Sequence, residues 1–208
     1  AAQGKSWRAY AGALDAVDGG PAPATCPKPV AGAAFPLPRM PFLAFHTIVD
    51  DASCADRIVG LDRLASDLKS AKGAPAFSYL VPSDCESGSD TPCRDGAPAG
   101  LGPADGFLKR VVAPIQASPA YKDGGAIVIL ADQAPGGDGA DRSSCCTGRS
   151  WYGSDPGTDG GGRTGALVLS PFVKGGTTVD DPADHYDLLK TVAQGLGVNP
   201  PGYAARKQ

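Results

Sequence analysis

Apolar residues recur along this chain in short clusters separated by stretches rich in Gly, Pro and Asp. The clearest cluster is Ala126–Ala131, preceded by Gly124-Gly125 and followed by Asp132-Gln133. A run so short, dominated by Ile, Val and Leu, predicts a strand covered on both faces, because a helix would need about twice the length. Phe77–Val81, ended by Pro82, predicts a second strand, and Ala166–Leu169, closed by Ser170-Pro171, a third of the buried type. Helical spacing occurs in four places. In Gly4–Val17 it joins Trp7, Tyr10, Ala11 and Leu14, and in Ile58–Ala71 it joins Leu61, Leu64, Ala65 and Leu68 up to a stop at Gly73 and Pro75. Leu101–Tyr121 carries Phe107, Leu108, Val111, Val112 and Ile115 on one side and predicts a helix broken at or near Pro114. Asp184–Val198 places Leu188, Leu189, Val192 and Leu196 on one face, with Asp184 set to cap the helix.

The intervening segments read as loops: Pro21–Pro41, Ser83–Gly102 and Pro135–Gly162, the last carrying Trp151-Tyr152 as a possible contact site. Phe42–Phe45 is either a short edge strand or a helical turn, and His46 after it reads as a loop or packing residue rather than a ligand. Strands alternating with helices predict the α/β class, with a mainly parallel sheet between helices. In such sheets ligands collect at the carboxyl ends of the strands, which makes Asp132 and Gln133 candidates for a site.

Composition narrows the function further. A chain of 208 residues can form one large domain, so residues 1–208 are taken as a single domain. A net charge of -3 with scattered basic residues leaves no footprint for nucleic acid or an anionic membrane. No apolar run approaches the roughly 20 residues that a transmembrane helix needs, and the opening AAQGKSW lacks the pattern of a signal peptide. The cysteines, Cys26, Cys54, Cys85, Cys93, Cys145 and Cys146, are even in number and lie in loops, which favours disulfides and an oxidising compartment over a zinc site. Spacing suggests a small loop closed by Cys85 and Cys93 and a larger one closed by Cys26 and Cys54. Cys145 and Cys146 would then pair with each other or reshuffle the scheme, and the connectivity stays open.

The motifs in series are more specific than any one of them. GKSWRAY, PAFSYLVP before a polar Cys loop, ADGFLKRVVAPIQASPAY, the strand ending at Asp132-Gln133, Cys145-Cys146, GALVLSPFVKGG and DHYDLLKTV together resemble the secreted bacterial phosphoesterases, a family that includes phospholipase C and acid phosphatases. The likeness covers nearly the whole chain and is strongest to the actinobacterial style. It implies an alkaline-phosphatase-like α/β/α sandwich, of which this chain is the carboxyl-terminal portion. It also implies a divalent metal and hydrolysis of phosphate esters by a hydroxyl nucleophile. Phosphoryl transfer needs an in-line nucleophile and positive charge on the equatorial oxygens, so hard oxygen ligands and histidines should converge.

The chain departs from that pattern at several points. The family's acidic-Asn-hydroxyl motif would precede this chain. Asp132-Gln133 stands where members carry Asp-Glu, and an amide is a weaker ligand for a hard cation. Glu86-Ser87-Gly88-Ser89-Asp90 stands for Asp-Gly-His-Asp, and Arg39-Met40-Pro41-Phe42 for a segment in which His precedes Asn-Pro-Phe. Only the late histidine is kept, as His185. The resemblance therefore implies a phosphoesterase-like secreted domain that is catalytically degenerate and serves as a structural or binding subunit. The alternative is a metal-dependent hydrolase whose nucleophile lies on another segment or chain, with Asp132 as metal ligand and His185 facing the phosphate. A blander reading leaves Asp132 as a strand-end turn and His185 as a first-turn helix residue. Because the family's amino-terminal part contributes a central strand, a protein partner or companion chain completing the sheet is expected.

Overall fold

The computed structural model describes residues 4–14, 26, 39–88, 93, 96–134, 140–143 and 161–206. The chain forms two compact units, Ala1–Asp123 and Gly124–Gln208.

The first unit is built on a parallel three-stranded sheet. Its central strand, β1, is Trp7–Ala11; β2 (Ile58–Gly60) lies on one side and β3 (Phe77–Val81) on the other. The register pairs Ala9 with Ile58 and Ala9 with Tyr79, so the middle of β1 is bonded on both edges. Alternation along β1 sorts its side chains to two faces. Ala9 and Ala11 join Leu14, Met40, Cys54, Ile58 and Val81 in one core, with Trp7, Phe42 and Tyr79 packed at its margin. Tyr10 joins Leu64, Phe107 and Val111 in the other. Helices α1 (His46–Val49) and α2 (Cys54–Arg57) and a 3-10 turn, Pro41–Ala44, cover the first face. Helices α3 (Arg63–Asp67) and α4 (Leu101–Ala117) supply the buried residues of the second. The α/β class is thus realised as a parallel sheet flanked by helices.

Three elements differ from their predicted form. The helix expected over Gly4–Val17 is the strand β1, because Ala9, Tyr10 and Ala11 are all fully buried, which requires cover on two faces rather than one stripe. The same spacing of apolar positions suits a fully buried strand, and periodicity alone does not separate the two. The helix expected over Ile58–Ala71 begins only at Arg63, since Ile58–Gly60 pairs with β1. The break expected at Pro114 falls instead at Ser118. Pro114 lies inside α4, whereas Ser118 takes an extended ψ of 151° ahead of Pro119, the first residue of α5 (Pro119–Lys122). A residue before proline is driven out of the helical region, so Ser118 ends α4, and its hydroxyl accepts from Tyr121 N to cap α5.

The second unit contains β4 (Ile127–Leu130), β5 (Ala166–Leu169) and α6 (His185–Gly195). Both strands stand where the apolar runs predict them, yet they pair with each other in antiparallel fashion. Leu130, Leu167 and Val168 remain 40%, 55% and 44% exposed, so the expectation of strands buried on both faces is corrected. A two-stranded ribbon cannot cover its own faces, and the apolar runs record a preference for cover without saying what supplies it. At the amino end of α6 the carboxylate of Asp184 accepts from Tyr186 N at 2.9 Å and Asp187 N at 3.1 Å, while Asp187 accepts from Asp184 N at 2.8 Å. This reciprocal cap bears out Asp184 as the helix start. At the other end Gly197, with φ of 64°, lets Val198 N reach Ala193 O and its own N reach Gln194 O, which closes the helix in a Schellman turn. The tail packs back as a 3-10 turn, Gly202–Arg206, with the Tyr203 ring 5.6 Å from that of Tyr186.

Candidate functional site

The carboxyl ends of the three parallel strands bring together the turn after β1, the segment after β2 and the loop leaving β3. The first and last are in direct contact. Gly12 N donates to Val81 O at 2.8 Å, and a Cβ on Gly12 would lie 2.5 Å from Ser83 N. The next residue, Ala13, has φ of 59°, a left-handed conformation that costs an L-residue about 1 kcal/mol or more. Only a glycine lets the two strand exits close to this distance, and the turn then bends sharply away.

The loop after β3 carries the ionisable groups. Ser83 precedes a 3-10 turn, Asp84–Glu86, and its hydroxyl donates to Glu86 Oε2 at 3.0 Å. Cys85 sits between the two carboxylates and is bonded to Cys93, which pins the turn. Asp84 accepts from Arg39 Nη1 at 3.0 Å. Arg110, on α4, donates to the other oxygen of Glu86.

Arg39 is itself held by aromatic packing on the sheet. The Phe42 ring stacks on Trp7 at 4.7 Å and meets the edge of Tyr79 at 5.3 Å, while Tyr79 Oη donates to the Arg39 carbonyl at 3.2 Å. A residue of β1, a residue of β3 and the Pro41–Ala44 turn thus aim Arg39 at the exit of β3. The helical-turn alternative for Phe42–Phe45 is the one realised. Cys26 and Cys54 form the second disulfide, which ties the segment before Arg39 to α2.

A second ionisable cluster lies inside the same unit. Asp67 at the end of α3 accepts from Tyr10 Oη at 2.8 Å, from Arg63 Nε at 3.3 Å and from Arg8 Nη1. Burial alone would push the Asp67 carboxyl up, but the three donors outweigh it and hold the group below the ordinary carboxylate range. Burial, followed by the hydrogen bond to Asp67 and its charge, pushes the Tyr10 hydroxyl up to about 12. Arg8 Nε also donates to Asp56 O at 2.8 Å. Every member has a partner and Tyr10 is fully buried, so this network clamps α3 to the central strand rather than presenting groups to a ligand.

The residues singled out by sequence take different places. Asp132 and Gln133 follow β4 and His185 is the first residue of α6; all three are exposed. His46 is exposed and pairs with Asp50 one helical turn on, at 3.2 Å. Cys26 with Cys54 and Cys85 with Cys93 are the two pairs that spacing suggests. Cys145, Cys146, Trp151, Tyr152, Ser89 and Asp90 lie outside the described residues.

Sequence reasoning passed over the pairing of Asp84 with Arg39 and of Glu86 with Arg110. Carboxylates flanking a loop cysteine directly after a parallel strand were a usable signal for the first half of each pair. Nothing in the pattern of α4 marked Arg110. For a divalent metal, the donor set around the β3 exit does not fit. Hard cations take carboxylate, carbonyl and water oxygens, whereas here each carboxylate already faces a guanidinium fixed by packing or by a helix. Among the described residues no three His, Cys, Asp or Glu side chains gather as a metal-binding group.

A model of the Phosphoesterase family matches residues 1–199. No match is found among curated proteins.

Proposed function

The chain belongs to the phosphoesterase family, and from that premise we propose that it is a catalytically degenerate phosphoesterase-like domain, acting as a structural or binding subunit outside the cytoplasm. The observation that carries this reading is the chemistry at the carboxyl edge of the parallel sheet. Catalysis of phosphoryl transfer by this kind of site calls for carboxylates and imidazoles left open to a metal and a phosphate. At this edge the carboxylates of Asp84 and Glu86 are engaged by Arg39 and Arg110 instead. The exposed amide of Gln133 beside Asp132 supports the same reading, because it removes one charge from a pair that would otherwise attract a cation.

Two further features support the role outside the cytoplasm and the need for a partner. The disulfides Cys26–Cys54 and Cys85–Cys93 suit an oxidising compartment, and no helix among the described residues is long and apolar enough to cross a membrane. The exposed apolar side chains of β4 and β5, with Phe172 at 80% exposure, favour a companion protein.

The test is hydrolysis of a phosphomonoester and a phosphodiester of p-nitrophenol by the purified chain, with Mg2+, Mn2+, Ca2+ or Zn2+ added in turn. The expected result is no turnover above buffer with any ion. Turnover that is lost in Asp132→Asn and in His185→Ala would instead overturn this reading in favour of a metal-dependent hydrolase that carries its nucleophile within these residues.

A further inference from the structure

We draw no further inference here: the strongest candidate, the exposed apolar face of the β4–β5 ribbon with Phe172 just beyond β5, carries nothing because no feature of the structure shows what covers it.

Discussion

Asp67 shows how much one side chain can decide. It is nearly buried, yet it is charged, because Tyr10, Arg8 and Arg63 all donate to it. Removing the carboxylate in Asp67→Ala takes the acceptor from the Tyr10 hydroxyl and from Arg8 Nη1, and the expected loss is on the order of 3 kcal/mol by urea denaturation. The pH dependence has a definite sign at both ends. The folded-state value of Asp67 lies below its unfolded value, so its contribution is complete above the unfolded carboxylate range and disappears as pH falls through the folded one. Tyr10 is raised from 10.0 to about 12, so its contribution is complete below pH about 10 and is lost as pH climbs toward 12. Tyr10→Phe should therefore abolish the alkaline limb of a plot of unfolding midpoint against pH and also weaken the acid limb, because Asp67 loses one of its three donors. A native-like alkaline limb in that variant would show that the network is not the titrating element. Gly12 is the second residue of this kind. Gly12→Ala places a methyl 2.5 Å from Ser83 N, and because the neighbour is backbone, the strand exits must separate. A loss of about 1–3 kcal/mol is expected from such overpacking, read as a lowered thermal midpoint.

At the scale of elements, the sequence was most legible where a local signal and the tertiary environment agree. The capping box of α6 is written in Asp184 and Asp187, and the structure uses both. Asp184→Ala should cost about 1 kcal/mol, seen as a drop in thermal midpoint that Asp184→Asn largely restores. β3 was legible because Pro82 stops it and its residues are β-formers. The start of the chain was misread because Trp7, Tyr10, Ala11 and Leu14 fit a helical stripe as well as a buried strand, and only the presence of β2 and β3 on either edge decides the matter. α4 was legible in its extent but not in its break. Pro114 lacks the N–H that would bond Arg110 O, yet the helix continues, because Phe107 and Val111 fasten the preceding turns to the core. Since that proline is exposed and lies in the last turn of α4, Pro114→Ala should raise stability by about 1–3 kcal/mol. An unchanged or lowered midpoint would mean that the proline ring is needed where α4 meets α5.

For the molecule as a whole, the candidate site was only half legible because it is a property of topology. Asp132 and Gln133 were chosen by their place at a strand end and His185 by its place in a motif series, and all three emerge exposed on the second unit. The paired groups on the first unit come from positions as far apart as Arg39, Glu86 and Arg110, and no spacing rule connects them. Parallel pairing of β1 with β2 and β3 is what assembles them, with the disulfides as the covalent complement. Both bonds lie within Ala1–Asp123, along with both core clusters. That concentration makes the two units unequal in their response to reduction. Cys26 and Cys54 close a loop spanning 28 positions, and on the chain-entropy account such a crosslink is worth about 3–4 kcal/mol. Reduction of the folded protein should therefore lower the protection of β1, β2 and β3 amides from hydrogen exchange while leaving β4, β5 and α6 nearly unchanged. The reason is that the bond limits the unfolded ensemble of the first unit only. Equal loss of protection across residues 7–81 and 127–195 would instead mean that the units unfold together, and the stability of the carboxyl edge would then depend on the whole chain rather than on the sheet that carries it.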